Sequence, residues 1–141
     1  MYQYNDCYPV ASIRHYQDGY LLETNKRYDN AMCHYAFSVE CSLKTLLNQL
    51  NQSNKKIKSH DIEKLLQNTK LFTNFMRIIN PKLVLLINSN KPPHVLFDGH
   101  PNRRYSNNIP YSVQDIEKSR KYTYFLIKDI INYILNGQIK I

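Results

Sequence analysis

Residues 27–44 read RYDNAMCHYAFSVECSLK, and their spacing decides the fold. From here onward Met32, Ala36, Val39, Leu43, Leu46 and Leu50 recur in steps of four and three, the period of one helix face and not of a strand. A helix is therefore expected from about Tyr28 to Leu50. The same stretch carries Arg27, His34 and Glu40 beside that apolar stripe. Arg27 and His34 are seven residues apart, so they share a side two turns apart. An arginine that steadies a phosphate and a histidine that moves a proton are what metal-independent RNA cleavage requires. The plainer reading is a helix-start arginine and a histidine packed against Tyr or Phe.

Working outward, a first helix is expected from about Pro9 to Thr24. Pro9 suits a first-turn position, and Val10, Ile13, Gln17, Tyr20 and Leu21 are expected to line its packed side. NKRYDN (25–30) reads as a short turn and NQSNKKIKS (51–59) as a solvated loop. Ser59 is a candidate cap, with Asp61 in the first turn, for a short helix carrying Ile62, Leu65 and Leu66. From Lys70 the pattern Leu71, Phe72, Phe75, Met76 and Ile79 is helical again. Pro81 interrupts it, and 82–88 continues for another turn or two. A long connection over 88–110 holds most of the prolines, two histidines and the Arg103–Arg104 pair, and loops of this length commonly carry function. The last helix is expected from Ser112, where SVQD fits a capping box, to about Asn136, with Gly137 beyond its end. Its seam reads Val113, Ile116, Arg120, Thr123, Ile127, Ile130 and Ile134. With only 3 glycines and no alternating segment, the chain reads as all-α: an up-and-down bundle of four to five helices in a single domain, 1–141.

Composition narrows the function classes. The 141 residues contain 43% hydrophobic and 21% charged residues, the balance of a folded chain with one core. Lys and Arg number 19 against 11 Asp and Glu, a formal charge of +8. That excess favours a polyanionic partner such as RNA or DNA, or an acidic protein, against the alternative of a merely basic solvated surface. The start of the chain lacks a secretory pattern, and the longest apolar run, LVLLI (83–87), is far too short to span a membrane. No membrane association and a cytoplasmic location are expected. Cys7, Cys33 and Cys41 form no CxxC, so no disulfide framework, metal site or cofactor is expected, and Cys33 and Cys41 read as small buried hydrophobes.

Two polar residues intrude on the apolar seams. Glu40 shares a face with Cys33, Phe37, Lys44 and Leu47, and Arg120 lies within the seam of the last helix. A buried charge is tolerable when paired, so Glu40 and Arg120 are expected to form an internal polar pair, approaching each other or sharing a polar partner. The competing reading pairs Glu40 with Lys44 one turn on and lets Arg120 reach outward.

RYDNAMCHYAFSVECSLKTLL (27–47) resembles the second helix of HEPN-type domains (higher eukaryotes and prokaryotes nucleotide-binding). SHDIEKLL (59–66) is similar to the family's short third helix, and NRRY (102–105) before a long final helix is similar to its arginine–tyrosine element. The resemblance implies a helical bundle, commonly a homodimer. It also implies a place among RNA-cleaving toxins and defence effectors, partners of minimal nucleotidyltransferases, or non-catalytic RNA- and nucleotide-binding versions. Cleaving members carry an Arg followed within a few residues by His near the last helix. This chain departs from that pattern: YSNNIPYSVQ (105–114) holds no histidine and His100 precedes the arginines, while Arg27 and His34 stand on another helix.

The expectation is therefore an RNA- or nucleotide-binding component of a bacterial toxin–antitoxin or defence system, with an antitoxin or nucleotidyltransferase as its protein partner. Arg103, Arg104, Tyr105 and Arg27 are the binding candidates. Arginine suits phosphate and tyrosine a stacked base. The alternatives are a divergent metal-independent endoribonuclease using His100, Arg103, Arg104 or His34, and a helical protein–protein interaction module.

Overall fold

The computed structural model describes residues 5–50, 57–76, 91–106 and 111–139. These form α1 (Tyr8–Thr24), α2 (Tyr28–Leu50), α3 (Ile62–Met76), a one-turn α4 (His94–Phe97), a 3-10 turn over Asn102–Tyr105, and α5 (Val113–Leu135). Among the described residues the chain is all helix and turn, with no strand. The continuation expected over 82–88, and the interruption at Pro81, lie outside the described residues.

Local chemistry sets the ends of these helices. Ser112 accepts from the Asp115 backbone N–H and the Asp115 carboxylate accepts from that of Ser112, closing a capping box on α5. At the far end Gly137 adopts φ +70°, and the Gln138 N–H reaches back to the Tyr133 carbonyl, a turn that favours glycine. The α1–α2 turn uses the same hydrogen bonds, Arg27 N–H to Leu22 O and Lys26 N–H to Glu23 O, with Lys26 at φ +59°. At α3 the cap is Asp61, whose Oδ1 accepts from the Lys64 N–H. Ser59 Oγ instead accepts from the Asp61 N–H, so it stands two residues before the cap.

α2 is the central element. From Ala31 to Leu47 every residue is buried except His34 and Phe37, which are half-buried. α1 runs antiparallel along it, α3 and α5 cover other sides, and Leu96 of α4 plugs the core. A helix enclosed on several sides has no outer face for its polar residues, so these are satisfied internally. Ser42 and Thr45 donate to the Ser38 and Cys41 carbonyls one turn back, and Ser38 donates across to the Ser12 carbonyl of α1. Cys33 and Cys41 are buried, and burial pushes the Cys41 thiol up to about 11, Glu40 adding to the rise.

α1 packs through a different face from the one its apolar residues suggest. Ser12 and Gly19 are its buried residues and Tyr16 and Leu22 flank the core, whereas Val10, Tyr20 and Leu21 are exposed. The reason is distance. A Cβ on Gly19 would stand 2.8 Å and 2.9 Å from Tyr35 ring carbons and 3.3 Å from the Ala31 carbonyl, so only a residue without a side chain permits this approach. Tyr35 is fully buried and its hydroxyl donates to Glu23, so it has nowhere to yield. Gly19→Ala is accordingly expected to lower stability by about 1–2 kcal/mol in urea denaturation, despite alanine's better helix propensity. Unchanged or increased stability would contradict the close α1–α2 approach.

Candidate functional site: a carboxylate with two histidines

Glu40 is 3% exposed, and each carboxylate oxygen is engaged. Oε1 accepts from Lys44 Nζ at 2.8 Å and from His60 Nδ1 at 2.9 Å, while Oε2 accepts from His100 Nε2 at 2.7 Å. Three elements supply these partners. Lys44 comes from the next turn of α2, His60 precedes the α3 cap, and His100 follows α4. Lys44 is buried, with its ammonium also 5.3 Å from the centre of the Tyr8 ring. Burial by itself would raise the Glu40 carboxyl pKa. The hydrogen bonds from His100 and Lys44, with the charges of Lys44 and His60, reverse this and hold it at about 2.

A carboxylate only accepts, so the imidazole nitrogens facing Glu40 carry protons. His100 has a side chain 2% exposed, whereas that of His60 is 59% exposed. His60 therefore has its Nδ1–H anchored on Glu40 while its ring is largely exposed, the orientation a carboxylate imposes on a working histidine.

The loop bearing His100 is tied down by Arg103. Its Nη1 donates to the Val95 and Asp98 carbonyls at 2.5 Å and 3.1 Å, and its Nη2 to those of Leu96 and Met32 at 2.7 Å and 3.2 Å. Arg103 is 7% exposed. Arg104 is exposed, its guanidinium 4.7 Å from the centre of the Tyr105 ring and 5.6 Å from that of Phe37. Tyr105 is 76% exposed. Phe37 joins the neighbouring groups: its ring meets His100 edge-on at 4.7 Å and stacks on His15 at 5.4 Å. His15 Nδ1 lies 3.3 Å from His34 Nδ1, and His34 Nδ1 lies 3.8 Å from the Asp18 carboxylate. These three side chains are the set among the described residues whose ligand atoms could hold a metal ion. Burial, then the neighbouring His34 and Arg14, lower the His15 pKa.

The expected residues are thus sorted by position. Glu40 and Arg120 do not pair: Arg120 Nε lies 3.6 Å from Glu23 of α1, whose other oxygen accepts from Tyr35, while Glu40 is engaged by Lys44, His60 and His100. Each charge found a partner on an element whose approach is invisible in one helix's periodicity. Arg103, expected to meet phosphate, is buried with both Nη groups engaged on carbonyls. His100, a candidate proton carrier, is enclosed. Arg27 is exposed just ahead of α2, 4.0 Å from Asp29, and shares no contact with His34. Arg104 and Tyr105 remain at the surface. His60, His15, Asp18 and Glu23 escaped the sequence reading. SHD at 59–61 and the H-x-x-D spacing at 15–18 are their only signals.

No helix among the described residues is long and apolar enough to cross a membrane. Compared with family models, curated proteins and solved structures, the chain matches none.

Proposed function

We propose that this protein binds RNA or a nucleotide, with Arg104 and Tyr105 as its contact surface beside the Glu40 cluster. The observation that carries this reading is the exposed Arg104–Tyr105 pair, a cationic fork stacked on an aromatic face on a chain of net charge +8. Such a pair offers a bidentate donor to a phosphate and a ring to a base. The resemblance to HEPN-type domains adds a homodimer and a role in a toxin–antitoxin or defence module, with an antitoxin or nucleotidyltransferase as partner. Fluorescence anisotropy with labelled single-stranded RNA tests this. Affinity should fall steeply with salt, Arg104→Ala and Tyr105→Ala should each weaken it by about tenfold, and the arginine change should flatten the salt slope by about one. Salt-insensitive binding to a protein and none to RNA would favour an interaction module instead.

A second reading, metal-independent RNA cleavage, is favoured by His60, whose Nδ1–H rests on Glu40 with the ring exposed. In this reading Arg104 neutralises the phosphate and His60 exchanges the proton. It requires cut RNA in the presence of EDTA, lost in His60→Ala; intact RNA with the wild-type protein leaves binding alone.

A further inference from the structure

We infer that His15, Asp18 and His34 form a binding site for one divalent transition-metal ion, Zn2+ foremost, clamped between α1 and α2 with a coordination position left open. The inference does not depend on RNA binding. A tetrahedral zinc site with bonds of about 2.0–2.1 Å sets its ligand atoms roughly 3.3–3.4 Å apart. The two Nδ1 atoms stand 3.3 Å apart and the Asp18 oxygen 3.8 Å from the second of them, with all three ligand atoms within 4.8 Å of one another. A small rotation of the Asp18 side chain, which is about half exposed, closes the set.

The scaffold holds this geometry before any ion arrives. His15 and Asp18 are three residues apart on α1 and so share a face, and His34 opposes them from α2. The two helices are locked on either side, by the Ser38 hydroxyl on the Ser12 carbonyl and by the Gly19–Tyr35 approach. The His15 ring is further fixed by its stack on Phe37 at an interplanar angle of 28°. Two imidazoles and one carboxylate select borderline metals such as Zn2+, Ni2+ or Cu2+ over Mg2+ and Ca2+, which prefer all-oxygen shells. All three side chains are partly exposed, so the remaining position opens to solvent, and three protein ligands with one open position is how catalytic zinc is held. In the absence of metal, the near approach of two imidazoles is sustained by one N–H donating to the other ring.

The test is a titration of the tag-free full chain, stripped with EDTA and desalted, with Zn2+ against a chromophoric chelator. The expected result is one equivalent bound. His15→Gln, Asp18→Asn and His34→Gln should each weaken binding by more than about a hundredfold, beyond the ten- to hundredfold that changes outside the ligand shell cost. Exposed His94→Gln should bind like wild type. Co2+ substituted into the site should show a visible spectrum of nitrogen–oxygen ligation without a thiolate band. Circular dichroism establishes that each variant is folded; if His34→Gln is not, Asp18→Asn decides. No stoichiometric uptake by the folded wild type overturns the inference. So does uptake that survives Asp18→Asn and His15→Gln together, or that is lost in His60→Gln but not in His34→Gln.

Discussion

Replacing Glu40 by alanine is expected to destabilise the protein by on the order of 3–5 kcal/mol, the cost of stranding a buried charge when its partner is removed. Lys44 is the stranded group: it is buried, and the Tyr8 ring beside its ammonium is no substitute for a carboxylate. Adding Lys44→Met to Glu40→Ala should recover part of the loss, because the unpaired ammonium is then gone. Equal stability of Glu40→Ala and wild type in urea denaturation would overturn the assignment of Glu40 as the hub. The same cluster fixes an acid limb. The native carboxyl titrates near 2 against an ordinary value of 4.5, so the native state binds the proton less readily than the unfolded chain. Its stabilisation is complete above about pH 4.5, disappears as pH falls toward about 2, and amounts to about 3 kcal/mol. Glu40→Gln should flatten the stability–pH curve across that window.

Arg103→Met is expected to cost at least about 3 kcal/mol locally, since four backbone carbonyls lose a charged donor that no neighbouring group replaces. Arg103→Lys should be nearly as damaging, because one ammonium cannot span carbonyls that the planar guanidinium reaches with two nitrogens. The loss should be visible first in residues 91–106, as faster amide exchange and early proteolysis, while α1 and α2 stay protected. His100 rides on this segment, so Glu40 would lose a partner in the same event and the acid limb should shift upward. A variant with unchanged exchange over 91–106 would show that the loop is held by something else.

The helices were legible in the sequence because their causes are local. The four-and-three spacing from Met32 to Leu50 marks α2, SVQD marks the start of α5, and the observed α2 bounds are those the spacing predicts. The sequence pattern divides α3 into two pieces where the structure has one helix, since no local signal in LLQNTKLF (65–72) separates continuation from a break. Polar positions at odds with their surroundings could be flagged too, and Glu40 and Arg120 are both engaged in ion pairs.

Their partners could not be read in the same way. Glu40 meets His60 and His100, twenty and sixty residues away, while Arg120 meets Glu23 across the bundle. The face α1 turns inward was also hidden, because a single glycine opposite Tyr35 outweighed Val10, Tyr20 and Leu21. Whether a cationic residue is surface or scaffold was equally undecided: Arg103 and Arg104 are neighbours in sequence, and one is spent inside while the other faces out. By itself the sequence determined α1, α2 and α5 and the capping box of α5, since a helix is built from hydrogen bonds between residues four apart and its ends from side chains within three; it missed the Asp61 cap of α3 and the short turns at 94–97 and 102–105. The tertiary structure alone decided the rotation of each helix about its axis and the docking of the 91–106 segment. Those follow from steric fit and charge pairing between residues distant in the chain, and they place His15 and His100 against Phe37, His60 and His100 on Glu40, and His34 beside His15.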